Sequence, residues 1–222
     1  WDISANAECV EYLMNKIKSI YRYPIKGLSG ERLESTVLSA GDVLPGDREY
    51  AFARAGVLFD PDHPAYMKKT NFLALVRDEK LAAYESKLDQ GTKILSIFEK
   101  GVLKLEANLN NTTECEAAAE FFRAQLDIEA DQSPRVVRAT GGTNGPESSH
   151  SFSDVPDKAI SLISLTSIKE FRDKIGADVD PMRFRGNINF ESTSGPAWQE
   201  FDWIDRDLRI GECILHVFKR TQ

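Results

Sequence analysis

The amino-acid sequence predicts a mainly β fold with several helices, of the α+β class, built on a barrel or a strongly bent sheet. Three observations lead to this prediction. Short alternating runs of apolar and polar residues recur between turn signals in the first half of the chain. Segments with helical periodicity follow in the second half. Hydrophobic residues make up 41% of the 222 residues, which is enough for a substantial core.

The predicted strands are short and separated by Gly- and Pro-containing connectors, as in small barrels. In the first half they cover residues 17–23, 34–38, 49–54, 94–98 and 102–107. Gly101 is expected to form the turn of a hairpin between the last two strands. The segment 78–91 fits a helix or a strand, and we interpret it as a helical turn.

Two helices are predicted in the second half. The segment 113–126 has an apolar stripe, and Thr113 with Glu116 has the spacing of a capping box. The second helix follows a buried strand at 160–165, with Ser164 or Ser167 as its cap and Gly176 as its end. Strand patterns return at 185–190 and 213–218.

The segment 135–152 is rich in Gly, Ser, Thr and Asn, which predicts a long loop. Its stretch GGTNG could line a phosphate site, but it lacks the spacing of the known phosphate-binding fingerprints. A plain connecting loop and a loop that contributes to a site therefore both remain open.

Charge and composition exclude several classes of protein. The net charge of −7 argues against a general binder of nucleic acid or anionic membranes, because such partners attract basic surfaces. The sequence has neither an apolar run long enough for a membrane span nor a secretion signal, so a cytoplasmic protein is expected. The three cysteines and three histidines are dispersed, which predicts no zinc or hydrolytic metal site. Residues 1–13 are expected to be an extension or a cloning remnant.

The stretch PMRFRGNINF concentrates positive charge in a predicted strand. Arg183 and Arg185 are two positions apart, so a strand would place both on one face, with Asn187 beside them. Such arginines could bind an anion, or one of them could pair with a carboxylate such as Asp180 or Asp154.

Five segments occur in the order and spacing of one known family. They are YRYPIKGLSGERL, GDREYAFA, FSDVPDKAISLISLTSIKEF, DPMRFRGNINFES and AWQEFDWIDRDLRIGECILHV. With these segments the chain resembles the MOSC family, named for the C-terminal domain of molybdenum cofactor sulfurase. It is similar to the form with an N-terminal β-barrel half, typified by the mitochondrial amidoxime-reducing component. The resemblance covers residue 16 to the end.

The resemblance implies a MOSC-type β-barrel with an interleaved N-terminal barrel subdomain. The implied boundaries are 14–110 for the N-terminal β-barrel-like region and 111–222 for the MOSC domain. The implied ligand is the molybdenum cofactor, a pterin dithiolene that carries a phosphate. The implied activity is reduction of N-hydroxylated small molecules, with electrons from a redox partner or a fused iron–sulfur domain. No lysine has a context that supports pyridoxal phosphate.

The implied cofactor-binding residues are those that match the family's motifs. They are Lys26, Gly27, Arg48, Lys158, Arg185 and Asn187. Arg and Lys suit a phosphate, because they offer a planar fork of donors and a point charge. Asn can both donate to and accept from a heterocycle edge. Lys26 could also be an ordinary turn lysine in water, and Asn187 could serve a turn.

The sequence departs from the family in three places. Gly27 stands where relatives often have serine, and RGN at 185–187 replaces the usual RPN. Relatives also carry an Arg-Cys pair after the last strand, whose thiolate binds molybdenum, and this chain stops at Gln222, just before that pair is expected. We therefore expect the ligand cysteine beyond Gln222, and Cys213 is too early to replace it.

Two other functions remain open. One is a module that binds the cofactor or carries sulfur without reductase activity. The other is an unrelated barrel that binds a phosphate ligand.

Overall fold

The structure, a computed structural model, describes residues 15–63, 65–139 and 151–220. The predictions for residues 1–13 and for GGTNG lie outside these residues. The backbone divides into two compact units. The larger unit is Ile20–Ile160, and the smaller unit holds the described residues up to Ser19 and from Ser161 onward. The domain boundaries implied by the family resemblance stay a prediction.

The described residues form eleven strands and two α-helices, joined by turns and short 3-10 segments. The strands are β1 (Asn15–Arg22), β2 (Glu31–Leu33), β3 (Tyr50–Ala53), β4 (Tyr84–Leu88), β5 (Ile94–Glu99), β6 (Val102–Asn108), β7 (Arg135–Arg138), β8 (Leu162–Ser164), β9 (Ile188–Ser192), β10 (Arg206–Ile210) and β11 (Cys213–Val217). The helices are α1 (Thr112–Gln125) and α2 (Leu165–Ile175). The α+β class is thus confirmed. None of the described helices is long and apolar enough to cross a membrane.

The core of the larger unit lies between its sheets and helix α1. Strands β4, β5 and β6 form an antiparallel sheet, and β3 pairs with β7. The Phe122 ring of α1 meets the Phe52 ring of β3 edge-on, with centroids 4.8 Å apart. Both side chains are fully buried, and burial of one such ring stabilises a fold by about 2–3 kcal/mol.

The smaller unit is organised around a parallel strand pair. Strand β8 runs parallel to β9, and α2 follows β8 directly. The Ser164 hydroxyl accepts a hydrogen bond from the Ser167 amide, and Gly176 ends the helix in the left-handed conformation at φ 66°. The predicted cap and end of this helix are confirmed. Its apolar face is packed at Ile168, whereas Phe171 and Ile175 are exposed.

Most predicted strands are confirmed within one or two residues, including the hairpin with Gly101 at φ 76°. The predicted strand at 34–38 is wrong, because the pairing with β1 ends at Leu33. Beyond that point Val37 is 84% exposed, so the alternating pattern has no apolar surface to pack on. The segment 78–91 begins as the predicted helical turn at Glu79–Ala83 and then continues as strand β4.

Two local predictions need correction. Helix α1 is capped by Asn111, whose side chain accepts from the Glu114 amide, so Thr113 is a residue of the helix instead of its cap. The predicted loop at 135–152 starts with strand β7, because Val136 and Val137 pair with β3. Two adjacent β-branched residues favour a strand and outweigh the polar residues that follow.

The described strands form four separate sheets of two, two, three and four strands. A closed barrel requires each strand to pair on both sides. Strand pairs β3–β7 and β10–β11 each stand as two-stranded sheets. The barrel is therefore not confirmed for the part of the chain that the structure describes.

One core side chain predicts a pH effect. The Tyr50 hydroxyl is buried and has no hydrogen-bond partner among the described residues. Burial raises the pKa of Tyr50 to about 12. Tyr50→Phe should therefore stabilise the protein by about 1 kcal/mol at pH 8, because it removes an unsatisfied polar group. Urea denaturation of both proteins measures this difference.

The same comparison at pH 11 sharpens the test. The unfolded Tyr50 ionises near pH 10, while the folded group stays neutral, so the wild type loses stability as the pH rises from 10 toward 12. The advantage of the phenylalanine variant should grow by about 1 kcal/mol between pH 8 and pH 11. An advantage that stays constant with pH would contradict the raised pKa.

Candidate anion site and second arginine turn

Lys26 lies in a turn directly after the Ile25–Tyr50 backbone bridge and is only 5% exposed. Its amide donates to the Tyr50 carbonyl at 2.8 Å. Its Nζ donates to the Phe152 carbonyl at 2.8 Å and to Asp154 Oδ1 at 2.5 Å. A turn lysine in water, the other interpretation from the sequence, is therefore wrong for this residue.

Gly27 allows the chain to pass close to the backbone of Leu73. Its φ is 84°, in the left-handed region that favours glycine. A Cβ at this position would lie 2.8 Å from the Leu73 carbonyl oxygen. The Leu73 amide is bonded to the Phe52 carbonyl of β3, which fixes the obstructing backbone.

Arg48 occupies the turn before β3 and has a left-handed backbone at φ 51°. Its guanidinium lies 5.0 Å from the centre of the Tyr23 ring and pairs with the Asp47 carboxylate. Asp47 is 4% exposed and also accepts from the Tyr23 amide at 2.8 Å. The turn is thus fixed through its aspartate, and the arginine is held against an aromatic face.

The segment 151–154 connects Lys26 with the Arg48 turn. The Ser151 hydroxyl donates to the Asp47 carbonyl, and the Phe152 amide donates to the Arg48 carbonyl, both at 2.9 Å. The Phe152 carbonyl in turn accepts from Lys26. We call Lys26, Asp47, Arg48, Phe152 and Asp154 the Lys26 site.

The electrostatics of the Lys26 site are dominated by cations. Partial burial raises the pKa of Asp154, but the nearby charges of Lys26, Arg48 and Lys69 outweigh that effect. The pKa of Asp154 therefore lies below its ordinary value. An anion placed here meets the same three positive charges.

Lys158, another predicted site residue, pairs with a different acid. Its Nζ lies 3.6 Å from Asp42 Oδ1, and both side chains are about one-third exposed. Such a pair contributes little to stability and leaves the lysine side chain accessible to solvent.

The stretch PMRFRGNINF, in the smaller unit, is not the predicted continuous strand. Asp180 caps a short 3-10 turn, Pro181–Phe184, with Pro181 at its first position. Arg185 follows at φ 52°, and β9 starts only at Ile188. Arg183 is exposed, whereas Arg185 is half-buried, so the prediction that both lie on one strand face is wrong.

Asn187 lies just before β9 and is 2% exposed. Its Oδ1 accepts from the amide and the hydroxyl of Ser161, at 3.1 and 3.0 Å. Its own amide donates to the Ser161 carbonyl. Asn187 thus ties the entry of β9 to the segment that leads into the parallel strand β8.

The space beside Gly186 is filled by the neighbouring strand. A Cβ at this position would lie 2.1 Å from Ile163 Cγ1. The Ile163 side chain therefore leaves no room for a residue larger than glycine at this position.

The sequence reasoning missed the acids and the extra cation around Lys26. Asp47, Lys69 and Asp154 were not predicted as site residues, although Asp154 was considered as an arginine partner. The one available signal was the Asp-Arg pair in GDRE, since an acid next to an arginine in a tight turn often fixes the turn.

The described cysteines are poor candidates for a metal thiolate. Burial raises the pKa of Cys115, so its thiol stays protonated at neutral pH. Cys213 begins strand β11 and is half-buried.

Comparison with known families gives one result. Residues 147–222 match the family model described as the MOSC domain. The family predicted from the motifs is therefore confirmed for this segment, which holds Phe152, Asp154, Arg185 and Asn187. No curated protein matches the chain.

Proposed function

Since residues 147–222 match the MOSC domain, we propose that this protein binds the molybdenum cofactor and is an oxidoreductase that reduces N-hydroxylated small molecules. The observation that supports the binding most directly is the buried Lys26 ammonium, which lies in a cluster of positive charge with Arg48 and Lys69. The MOSC match supports the chemical class of the ligand.

In this proposal the cofactor's phosphate binds at the Lys26 site. Lys26 supplies a fixed point charge, because its Nζ is held by the Phe152 carbonyl and its stem is buried. Arg48 supplies a planar guanidinium that stays charged at every relevant pH. Gly27 lets the Lys26 turn pack against the Leu73 backbone and so helps to fix the turn that carries the lysine.

Arg185 and Asn187 have separate roles in the proposal. Arg185 is a further cationic ligand, presented from a left-handed turn. Asn187 is a positioning residue, because its carbonyl oxygen is engaged by Ser161. Lys158 is assigned to the rim, where its pair with Asp42 is weak enough to open.

The donor set fits the phosphate end of the cofactor. The metal end would require a thiolate, and burial raises the pKa of Cys115, which disfavours a thiolate there. Cys213 is half-buried at the start of β11 and lies too early in the sequence to match the family's ligand cysteine. When bound, the cofactor would supply the oxygen-atom and electron chemistry, while the protein binds and orients it. Electrons would come from a redox partner or a fused iron–sulfur domain.

The natural full-length protein provides the main test. It should be produced in a host that makes the cofactor, and molybdenum and pterin should be measured by mass spectrometry. We expect both at near-stoichiometric amounts, together with reduction of an amidoxime. Traces of either would contradict the proposal. Stoichiometric cofactor without reduction would favour a binding or sulfur-carrying module instead.

Lys26→Met tests the site itself. Methionine fills a similar volume, but it removes the charged hydrogen bond to the ligand. We expect the affinity for a phosphate monoester to fall about tenfold or more. Isothermal titration of the cofactor-free protein with phenyl phosphate measures this change.

Lys16→Met is the matched control, because Lys16 is exposed and its variant has the same net charge as Lys26→Met. It should bind as the wild type does. If both variants lost the same affinity, the overall charge of the protein would be the cause. If neither lost affinity, Lys26 would not contact the phosphate. Either result would remove Lys26 from the site.

A further inference from the structure

Lys26 and its carboxylate partner differ sharply in burial. Lys26 is 5% exposed, whereas the Asp154 side chain is 64% exposed. The buried ammonium cannot leave without losing its hydrogen bond to the Phe152 carbonyl. The exposed carboxylate can rotate into water, where it stays hydrated, while Lys26 keeps its hydrogen bond to the Phe152 carbonyl.

The backbone before Asp154 is held more firmly than Asp154 itself. Phe152 is bonded to Arg48, and its ring packs against Phe72 and Phe59 with centroids 5.0 and 5.3 Å away. Two residues later, the Asp154 carbonyl accepts one long bond of 3.3 Å from the exposed Tyr66 hydroxyl. Asp154 can therefore move while Phe152 continues to hold Lys26.

The net charge around Lys26 matches a dianion once Asp154 has turned away. Lys26, Arg48 and Lys69 carry three positive charges, and the buried Asp47 neutralises one of them. Among these five residues, a single positive charge remains when Asp154 is in place. When Asp154 turns away, two positive charges remain, which equals the charge of a phosphate monoester above its second pKa.

We infer that Asp154 is a displaceable counter-ion that occupies the anion position of Lys26 and must leave when a phosphate monoester binds. This inference rests on the proposed function of the Lys26 site. It adds a residue that sets affinity and selectivity: a dianion gains charge neutralisation by displacing Asp154, whereas a monoanion only replaces one negative charge with another.

The expected change in affinity follows from the competition between the Asp154 carboxylate and the phosphate for Lys26. A partly exposed ion pair of this kind keeps the closed arrangement favoured by about fivefold. The apparent Kd of a ligand that needs the open arrangement is raised by the same factor. Asp154→Asn should therefore bind phenyl phosphate about fivefold more tightly than the wild type does.

The experiment uses the cofactor-free protein and isothermal titration with two probes. Phenyl phosphate is the dianion, and dimethyl phosphate is a monoanion of similar chemistry. In the wild type we expect binding of the dianion alone. In Asp154→Asn we expect tighter binding of phenyl phosphate and measurable binding of dimethyl phosphate. Asp131→Asn, at an exposed aspartate of the same unit, controls for the change of net charge.

Each outcome decides the question. Equal or weaker phenyl phosphate binding by Asp154→Asn, with a wild type that binds, overturns the counter-ion role and leaves the proposed function standing. Tighter binding by Asp131→Asn to the same extent also overturns it, since net charge would then be the cause. Failure of wild type and Asp154→Asn alike to bind overturns the counter-ion role, while cofactor content of the full-length protein separately decides the proposed function. A thermal unfolding scan of Asp154→Asn verifies that the variant is folded.

Discussion

Gly27→Ser is expected to destabilise the protein by about 2–5 kcal/mol. The left-handed backbone at φ 84° costs a residue with a Cβ about 1–2 kcal/mol. The Cβ would also lie 2.8 Å from the Leu73 carbonyl oxygen, and such overpacking adds about 1–3 kcal/mol. Urea denaturation at neutral pH measures the change in the free energy of unfolding.

Gly41→Ser separates the two contributions. Gly41 has φ 73°, and a Cβ there would meet nothing within 4 Å. This variant should lose only the backbone contribution, about 1–2 kcal/mol. If both variants lose the same amount, the contact with Leu73 is relieved by a backbone shift and does not explain the glycine.

Asn187→Ala should destabilise the protein by about 2 kcal/mol. The substitution removes the acceptor of two hydrogen bonds from Ser161 and leaves a polar group without its partner. Because Asn187 ties the entry of β9 to the segment before β8, the variant should also lose amide protection at Leu162–Ser164. Denaturation and hydrogen exchange measure the two effects.

Ser161→Ala is the companion variant. It removes the hydroxyl but keeps the Ser161 amide, which still donates to Asn187 Oδ1. We expect a loss of about 1 kcal/mol or less. An equal loss in the two variants would show that the side-chain hydroxyl carries the whole interaction and that the backbone contact is unimportant.

Turn and capping signals in the sequence predicted those helices and hairpins whose ends are set by residues a few positions apart. The hairpin at Gly101 and the helix between Ser164 and Gly176 were found because their turn and cap signals lie within a few positions of each other. The stretch at Arg185 was misjudged because its strand-like alternation was weighed above the Asp-Pro pair at 180–181. That pair is a start signal for a helical turn.

The candidate site depended on contacts that local rules do not reach. Lys26 and Phe152 lie 126 positions apart, and no periodicity predicts that one holds the other. Lys26 and Arg48 were selected through motif resemblance, which identifies residue types without their partners. Asp154 was overlooked as a member of the site because its role depends on the difference in burial between it and Lys26.

The left-handed backbones of Arg48 and Arg185 have a consequence for protein engineering. Replacing a non-glycine residue at positive φ with glycine relieves backbone strain, which makes it an obvious stabilising change. At Lys100, which is exposed and shares this geometry, such an exchange should be a harmless gain. At Arg185 the same exchange would relieve backbone strain while it deletes a cation of the proposed ligand site. At Arg48 it would also leave the buried Asp47 carboxylate without its ion-pair partner. A library ranked by heat resistance alone would therefore select against binding at Arg185.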